Sequence, residues 1–404
     1  MLSIESALKT ILISTNVLGI ERIDLLSSLG RVLAEDIYAY DYLPPFDKSA
    51  MDGYALKSSD TLNASKENPI ELTVRGSIKA GDDFKKEIET GQTYKVMTGA
   101  PIPLGADAVI EIEKVDIKDK KIIINRPVKS NNNIINKGEE VSFGELALPK
   151  GKIIRPPEIG FLASLGQEYI PVYNLPKVAL IITGNELINI DKKLQPGKIR
   201  NSNEYSLKAL LESIGIKSVL SFGIIPDDKE VIIQKIKEAL AEVDVLISSG
   251  GVSVGDYDFI DEILNKIGFK IHFTSVSIKP GKPITFATYE DKLFFGLPGN
   301  PASIITTFEE FVKPALKKMK GEVDVLPKKI SIVLGEDIKA KTERRKYIYV
   351  KIEKKSDKYY AYNAGSQSSS QLKTMTRANG IIIMPEEKNI VKKGEMLEGR
   401  FIFN

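Results

Sequence analysis

The turn from Ser249 to Asp258 follows the apolar run DVLISS and is rich in glycine and polar residues. Its glycines allow the backbone to approach a ligand closely, and its amides lead into the start of a predicted helix, where an anionic group binds favourably. The spacing matches neither GxGxxG nor GxxxxGK[ST], so a dinucleotide fold or a Walker-type nucleotide site is not supported. A tight strand-to-helix turn that uses glycine only for its geometry is the alternative.

A second candidate anion site is the segment GLPGNPAS, residues 296 to 303. Asn300 suits the N-cap of a helix, and Pro301 suits the first helical position, where a missing N–H costs nothing. Capping alone would explain these two residues, but it would not explain the preceding Pro298-Gly299 turn. We therefore expect a helix N-terminus that faces a ligand.

Two lysines, Lys279 and Lys282, lie in the segment IKPGKP, residues 278 to 283. Proline and glycine restrict the backbone of this loop, so the two ammonium groups would be held in place and would suit an oxyanion or a phosphate. A solvated pair of lysines is the alternative.

Carboxylates follow two predicted strands, in Thr183-Gly184-Asn185-Glu186 and at Asp227-Asp228. Carboxylates beside phosphates usually imply Mg²⁺ between them. Asp227 also fits a plain helix cap, because Glu230 stands three residues later as in a capping box, and Asn201 with Glu204 repeats that pattern.

Two loops in the first third of the chain have a polar density that no strand or helix period explains. They are PFDKSAMDGY (45–54), with Asp52, and MTGAP (97–101), with Thr98. A surface loop with Asp-Gly as a turn is the alternative for the first. His272 lies in a strand-like run, and we expect it to be packed rather than catalytic.

The composition excludes several chemistries. Cys is absent and His occurs once, which removes disulfides, zinc-thiolate sites, a Cys nucleophile and most His-based acid–base catalysis. The net charge of +3 provides no strongly basic field for nucleic acid. The apolar runs are too short for a membrane helix, and Glu5 and Lys9 interrupt the segment where a signal peptide would need one. We expect a cytoplasmic protein with no nucleic-acid or membrane partner.

The 404 residues predict about three folding units. A helix over SIESALKTILIS is expected to pair with another over 155–166, so that residues 1–42 and 141–172 form an elongated module around an inserted β domain, 43–140. Alternating strands and helices over 173–322 predict an α/β domain with a parallel sheet covered on both faces. Short strands over 323–404 predict a small barrel or sandwich. In such a sheet, ligands bind at the carboxyl ends of the strands, where the turns above lie.

The chain resembles the MoeA-type molybdopterin molybdenumtransferases, which include the gephyrin E domain, along its whole length. The motifs that carry the resemblance occur in the family's order: PPFDKSAMDGYAL, MTGAPIPLGADAVI, RPPEIGFLASLG, TGNEL, SSGGVSVGDYDF, IKPGKP and GLPGNPAS. The resemblance implies an α/β domain like that of the molybdopterin-adenylating proteins, a C-terminal β barrel, and an elongated homodimer. The β domain of one subunit would then bring Asp52 and Thr98 to the α/β crevice of the other.

The family's reaction, as the resemblance implies it, combines adenylylated molybdopterin with molybdate, releases AMP with the help of Mg²⁺, and leaves molybdenum on the pterin dithiolene. An adenylating protein would supply the substrate. The sulfur ligands come from the pterin, so a chain without Cys can handle this metal. Molybdate and tungstate have the same charge and nearly the same size, so the same residues would accept either.

Site residues follow from the resemblance, motif by motif. The expected catalytic residues are Asp52, Thr98, Glu186, Asp227, Asp228, Asp258, Lys279 and Lys282, with Glu186, Asp227 and Asp228 as Mg²⁺ ligands. The expected substrate-binding residues are Thr183, Gly184, Asn201, Ser249, Gly250, Gly251, Ser253, Gly255, Asp256, Pro298, Gly299, Asn300, Pro301, Ser303, Arg344, Ser369 and Ser370.

Two positions depart from the family's pattern: Asn185 and Glu140 stand where many relatives have Asp. The first loses a carboxylate but keeps a hydrogen-bonding side chain, and the second lengthens the side chain by one methylene. Two other functions remain as alternatives, a non-catalytic molybdopterin-binding scaffold and a molybdopterin adenylyltransferase. The charged crevice residues disfavour the first, and the additional domains disfavour the second.

Overall fold

The computed structural model describes residues 1–83, 85–250, 260–339, 344–386 and 388–402. Helix α1 (Ile4–Ile13) begins after Ser3, whose hydroxyl accepts a hydrogen bond from the Ser6 amide at 3.1 Å. The strands β1 (Ile20–Asp24) and β2 (Ile37–Tyr38) follow, with a 3₁₀ turn at Leu26–Ser28 between them.

The next segment folds into a β domain. Its elements are β3 (Lys48–Ser49), β4 (Gly53–Leu56), a 3₁₀ turn at Ser58–Thr61, β5 (Ile70–Ile78), β6 (Gln92–Val96), β7 (Ala108–Glu111), a 3₁₀ turn at Ile112–Lys114, β8 (Asp116–Lys118), β9 (Lys121–Ile124) and β10 (Ile134–Ile135). The main sheet has the order β7-β4-β6-β5-β9-β8, and β3 pairs with β10. The apolar runs of the sequence predicted β5 to β9. They did not predict β3, β4 or β10, and β3 and the start of β4 lie in the segment 45–54 that was expected to be a loop.

The chain then returns to the first module through β11 (Leu146–Leu148), α2 (Pro156–Ser164) and β12 (Tyr169–Tyr173). β1 pairs antiparallel with β12, and β2 pairs with β11, so segments on both sides of the β domain form one unit. Helix α2 has the expected proline at its start and Gly166, with φ +72°, after its end. Glu158 accepts a hydrogen bond from the Arg155 amide at 2.9 Å and completes a capping box.

The predicted pairing of α1 with α2 is wrong. Ile4, Ala7 and Ile11 of α1 are buried in the core of the α/β domain, whereas Leu162 of α2 is buried in the core of the first module. The apolar stripe of α1 packs on the core of the α/β domain, which is larger than that of the first module. The free energy gained by burying this stripe depends on the apolar area removed from water and not on the distance along the chain.

The α/β domain contains the longest succession of buried strands. Its elements are β13 (Val178–Thr183), β14 (Leu187–Ile188), β15 (Ile199–Arg200), α3 (Asn203–Ser213), β16 (Val219–Ile225), α4 (Lys229–Leu240), β17 (Val245–Ser249), α5 (Ile260–Ile267), β18 (Lys270–Ser275), β19 (Ile278–Lys279), β20 (Pro283–Tyr289), β21 (Lys292–Leu297), α6 (Pro301–Thr307), a π turn at Phe308–Val312, and α7 (Lys313–Met319).

The main sheet of this domain has the order β16-β13-β17-β21-β20-β18. β16, β13, β17 and β21 are parallel, as predicted, and both faces are covered because apolar clusters lie on each side. β20 is antiparallel to its neighbours β21 and β18, which the sequence did not predict. Only two residues, Glu290 and Asp291, connect β20 to β21, and Glu290 has φ +51°. A two-residue turn reverses the chain, so the two strands it joins must pair antiparallel.

The last domain is a closed barrel. Its elements are β22 (Ile330–Leu334), β23 (Ile338–Lys339), β24 (Arg345–Lys355), β25 (Lys358–Asn363), α8 (Leu372–Met375), β26 (Gly380–Met384), β27 (Ile390–Val391) and β28 (Met396–Phe401). The strands close in the cycle β24-β25-β22-β28-β26, since β26 also pairs with β24. β19 of the α/β domain adds to the edge of β24, with Ile278 beside Arg345, so the two domains share a ladder.

A buried polar cluster also joins the barrel to the α/β domain. Glu310, on the π turn, accepts hydrogen bonds from Arg400 of β28 and, at 3.0 Å, from the Tyr347 hydroxyl of β24. Burial raises the pKa of Glu310, and the Arg400 guanidinium opposes that rise. Both charged side chains are about 5% exposed, so each depends on the other for compensation of its charge.

Substituting Arg400→Met is expected to destabilise the protein by about 3–5 kcal/mol, because it leaves Glu310 buried without its cation. Thermal and urea denaturation would measure the loss. The matched control is Lys121→Ala, which breaks a solvent-exposed pair with Glu71 and is expected to change stability little. Equal stability of the two variants would contradict the assigned role of the Arg400–Glu310 pair.

Candidate functional site

Four parallel strands end at one edge of the α/β sheet, at Thr183, Ile225, Ser249 and Leu297. β16 lies on one side of β13 in this sheet, and β17 lies on the other side. The strand order therefore reverses direction at β13. Ligands of open parallel sheets bind at such a point. Every turn that the sequence analysis singled out in this domain leaves the sheet here or packs beside it.

The turn after β17 depends on glycine at position 250. Gly250 has φ +98°, and a Cβ atom there would lie 2.7 Å from the carbonyl oxygen of Thr183 and 2.9 Å from its hydroxyl. The Gly250 amide donates to the carbonyl oxygen of Leu297 at 3.2 Å, which ties the turn to the end of β21. The Thr183 hydroxyl oxygen is buried and has no hydrogen-bond partner in the described chain. The predicted residues Gly251, Ser253, Gly255, Asp256 and Asp258 lie outside the described residues.

The turns after β13 and β16 bind each other. The Asn185 amide donates to Asp227 Oδ2 at 2.9 Å, and the Asp227 amide donates to Asn185 Oδ1 at 3.3 Å. The carboxylate of Glu186 lies over Gly184, within 3 Å of where a Cβ atom of that residue would stand. Glu186 and Asp227 are thereby brought to neighbouring positions on this edge. Asn185 provides both an amide and a side-chain oxygen for this contact.

The helix-cap interpretation of Asp227 is wrong. Asp228 is the N-cap of α4, and its Oδ1 accepts a hydrogen bond from the Val231 amide at 3.0 Å. Glu230 pairs with Lys266 instead of closing a capping box. One residue's difference in the start of the helix accounts for the error, and it leaves Asp227 free for the contact with Asn185.

The predicted contact between Asn201 and Glu204 is present, but the assignment of Asn201 as the helix cap is wrong, because Ser202 is the N-cap of α3. Asn201 Oδ1 accepts from the Glu204 amide at 3.2 Å, and its Nδ2 donates to Glu204 Oε2 at 2.7 Å. Glu204 also accepts from Lys208 and Ser221. Burial opposes ionisation of Glu204, but these hydrogen bonds outweigh it and lower its pKa. The residue therefore holds the start of α3 as a buried anion.

The segment before α6 has the predicted form. Asn300 is the N-cap and Pro301 is the first residue of α6, but the Asn300 side chain makes no capping hydrogen bond. Pro298 and Ser303 are buried, whereas Gly299 is exposed. The Ala302 amide donates to the carbonyl oxygen of Ser369 at 3.0 Å, which brings the barrel segment that contains Ser370 to this helix N-terminus.

The lysine loop packs against the same helix. Gly281 is buried with φ +109°, and a Cβ atom there would lie 2.5 Å from a methyl group of Thr307 and 3.7 Å from the carbonyl oxygen of Ser303. Lys279 is half-buried and Lys282 is exposed. The ammonium groups of Lys279 and Lys282 therefore lie on a loop that packs against α6. The hydroxyl-bearing residues Ser303, in α6 itself, and Ser369, in the barrel domain, belong to the same region.

Further positive charge comes from the strand beside the lysine loop. Lys346 lies opposite Lys279 in the β19–β24 ladder, and its pKa is lowered by burial and by the charge of Lys279. Arg344 Nη1 donates to the carbonyl oxygen of Ile278 at 3.3 Å. An anion bound beside Lys346 would favour its charged form, which burial and Lys279 oppose. The sequence analysis missed Lys346, although its place next to Arg344 and Arg345 was a signal.

The two polar loops of the β domain contact each other, which the sequence did not predict. Asp52 Oδ1 accepts hydrogen bonds from the Thr98 amide at 2.7 Å and from the Thr98 hydroxyl at 2.8 Å. A second link joins the Ser49 amide to the carbonyl oxygen of Ala100 at 2.9 Å. The hydrogen bonds from Thr98 lower the pKa of Asp52, so the pair is held together by an ionised carboxylate on an exposed surface.

Substituting Thr98→Val is expected to raise the pKa of Asp52 toward its ordinary value of 3.8, since one of the two donors is lost. A lowered pKa in the folded state means that the contact is complete at neutral pH and weakens as the pH falls through that pKa. Carboxyl ¹³C NMR titration would measure the change. An unchanged Asp52 titration would show that the Thr98 hydroxyl does not stabilise the carboxylate.

His272 is packed, as expected. Its ring stacks on Phe286 with centroids 5.2 Å apart, and its Nε2 contacts the Thr288 hydroxyl at 2.9 Å. Burial and the charge of Lys270 lower its pKa. The histidine is thus part of the sheet and not of the edge where the turns meet.

Among the described residues, no three His, Cys, Asp or Glu side chains form a group that could hold a metal ion. Glu186, Asp227 and Asp228 are therefore not a complete ligand set, and Asp228 has one oxygen committed to α4. In the same part of the chain, no helix is long and apolar enough to cross a membrane.

Comparison with protein families gives three matches along the chain. Residues 2–166 match the MoeA N-terminal region (domain I and II), residues 179–318 match a probable molybdopterin binding domain, and residues 331–398 match the MoeA C-terminal region (domain IV). The boundaries of these matches fall close to the changes of architecture described above.

Similar proteins match this chain over most of their own length. The molybdopterin molybdenumtransferase of Staphylococcus aureus is 38% identical over 92% of this chain and 88% of its own, and that of Nostoc sp. is 35% identical over 93% and 87%. The crystal structure of the molybdopterin biosynthesis MoeA protein from Pyrococcus horikoshii is 33% identical, covers both chains completely and superposes with a TM-score of 0.85.

Proposed function

We propose that this chain, which belongs to the MoeA family, is a molybdopterin molybdenumtransferase that inserts molybdate into molybdopterin during molybdenum cofactor biosynthesis. One observation carries the proposal. The turns after β13, β17 and β21 meet at one sheet edge, and a lysine loop packs on the helix that begins there. This arrangement suits a substrate that is an anionic pterin nucleotide and a second substrate that is an oxyanion.

In the proposed reaction, adenylylated molybdopterin and molybdate bind together, and water adds across the phosphoanhydride bond to release AMP. The two dithiolene thiols give their protons to one molybdate oxygen, which leaves as water while two Mo–S bonds form. The chain contains no Cys, so the sulfur ligands belong to the substrate. What the protein contributes is the orientation of two negatively charged reactants and stabilisation of charge on the phosphate as the bond breaks. Tungstate, with the same charge and shape, would bind in the same way.

The oxyanion would bind beside the first turns of α6. Lys279, Lys282 and the hydroxyl of Ser303 are the proposed contacts, with Arg344 and Ser369 or Ser370 supplied by the barrel. Ionic hydrogen bonds from fixed ammonium groups are shorter and stronger than neutral ones. Lys346 adds to the positive field at the same place.

The pterin nucleotide would lie along the turn from Gly250 and the segment Pro298 to Ser303. Backbone amides of these turns can approach a phosphate closely, because Gly250 has no side chain and a positive φ. Thr183, Gly184 and Ser249 line the same edge, and the start of α3, held by Asn201, borders it.

Mg²⁺ fits this edge as an ion held between protein and substrate. Glu186 and Asp227 would provide carboxylate oxygens, the buried and unpartnered Thr183 hydroxyl is an oxygen donor beside them, and phosphate oxygens would complete the set. When bound, the ion would neutralise charge on the phosphoanhydride. Glu186 and Asp227 hold their relative positions through the Asn185–Asp227 hydrogen bonds.

We further propose a homodimer with an active site shared between subunits. Asp52 and Thr98 form a preorganised polar pair on the exposed surface of the β domain, which is the form expected of a group that completes a site elsewhere. Each subunit would present this pair to the sheet edge of its partner. The protein would act in the cytoplasm, downstream of a molybdopterin-adenylating protein.

Incubation with adenylylated molybdopterin, Mg²⁺ and molybdate tests the function. AMP release together with a metallated pterin supports the transferase. Synthesis of adenylylated molybdopterin from ATP and molybdopterin would instead support an adenylyltransferase. Binding of molybdopterin without either reaction would support a non-catalytic scaffold. Adenylyltransferase activity and binding without reaction would each contradict the proposal.

A further inference from the structure

Asn203, the first residue of α3, connects the two substrate turns of the α/β domain. It is 8% exposed, and its Nδ2 donates to the Ser249 hydroxyl at 3.1 Å and to the carbonyl oxygen of Gly299 at 2.8 Å. Ser249 ends β17, and Gly299 precedes α6. One amide group thus bonds to both segments between which the nucleotide would bind.

We propose that Asn203 is a positioning residue that sets the spacing of these two turns. The substrate named here rests on the proposed function, but the contacts do not. The Asn300 side chain makes no capping hydrogen bond to α6. The turn before α6 is held instead by the hydrogen bond from the Asn203 side chain, on α3, to the carbonyl oxygen of Gly299. The hydrogen bond from the Gly250 amide to the carbonyl oxygen of Leu297 is a second link between the same segments.

Asn203 can act as a fixed point because the start of α3 is itself anchored. Glu204, the next residue, is a buried anion that accepts hydrogen bonds from Asn201, Lys208 and Ser221. Asn201 in turn bonds its own amide to the carbonyl oxygen of Ile188 at 2.9 Å. The network connects the helix to β14 and β16, so movement of Asn203 would require several hydrogen bonds to break.

The polar atoms left without partners support a ligand-binding role for this edge. Among the described residues, five side-chain atoms are buried and unpartnered, and three of them, Asn203 Oδ1, Thr183 Oγ1 and Ser248 Oγ, belong to the strand ends or to the helix start beside them. The other two, Nε of Arg31 and Nε of Arg400, lie in other parts of the fold. Buried unsatisfied groups are costly and concentrate where structure serves function. The sequence analysis assigned Asn201 and passed over Asn203, although both lie in the motif NSNE.

Substituting Asn203→Ala is expected to weaken AMP binding roughly tenfold or more, because a carbonyl and a hydroxyl lose their shared donor and the turns separate. Molybdate affinity should stay within about twofold, since Lys279 and Lys282 are held by other contacts. Asn203→Asp has the same shape but sets a carboxylate oxygen against the Gly299 carbonyl, so it should weaken AMP binding at least as much. Calorimetric titration with AMP and with molybdate measures both, and the isosteric variant provides a folded protein if the alanine variant does not fold.

The matched control is Asn379→Ala. Asn379 also makes two hydrogen bonds to backbone, with the amide and the carbonyl of Ile352, but it lies in the barrel. It should lower the melting temperature and leave AMP affinity unchanged. Wild-type protein that binds both AMP and molybdate, with Asn203 variants that bind AMP equally well, would overturn this inference alone. Wild-type protein that binds neither anion would overturn the proposed function.

Discussion

Replacing Lys279 and Lys282 together with alanine is expected to weaken molybdate binding about a hundredfold or more, since hydrogen bonds to charged groups each contribute roughly 1.5–3 kcal/mol. The loop that carries both residues is fixed independently of their side chains, because Gly281 packs on Thr307. The fold should therefore survive the substitutions. Calorimetric titration with molybdate measures the affinity, and circular dichroism checks the fold.

A control for the loss of two charges is Lys351→Ala with Lys354→Ala, on the exposed surface of β24. These changes alter the net charge equally but leave the lysine loop intact. Molybdate affinity should then remain close to that of the wild type. If the two double variants bind molybdate equally well, the lysine loop is not the oxyanion site.

Substituting Gly250→Ala has the second large expected effect, a loss of nucleotide binding and of transferase activity of about a hundredfold. The added Cβ atom would stand 2.7 Å from the carbonyl oxygen of Thr183, and φ +98° is strained for alanine. The turn must therefore move away from β13. Titration with AMP and the rate of AMP release from adenylylated molybdopterin would measure the effect.

Gly160→Ala in α2 is the matched control, because a Cβ atom there meets nothing within 4 Å and its φ is not positive. Alanine is also the better helix former, so this variant should be as stable as the wild type or more so. Normal AMP affinity in the Gly250→Ala variant would show that the turn does not depend on close packing against Thr183.

Local patterns in the sequence predicted most of the site. Turns after apolar strands must lie at one edge of a parallel sheet, so Thr183, Ser249 and Pro298 could be grouped before any coordinates were known. The resemblance assigned Asp52 and Thr98 to one site, and the structure adds that the two residues bond directly to each other. The closed barrel was predicted as a barrel or a sandwich, because short strands alone do not show whether a sheet closes.

Other features depended on contacts that no local pattern contains. The antiparallel position of β20 results from the turn at Glu290, and the packing of α1 on the α/β core results from the area available there. Asn203 and Lys346 acquire their roles from neighbours more than 40 residues away in sequence, such as Ser249 and Lys279. The N-cap at Asp228 rather than Asp227 is a one-residue difference that capping preferences cannot resolve.

The central claim is that oxyanion and nucleotide bind side by side at the carboxyl ends of the parallel strands. Crystals soaked with tungstate and AMP test it most directly, because tungsten can be located by its anomalous scattering. We predict a tungsten peak beside Lys279 and Ser303, with AMP density along the turn that begins at Gly250. A sheet edge without either density in crystals that bind tungstate elsewhere would contradict the account.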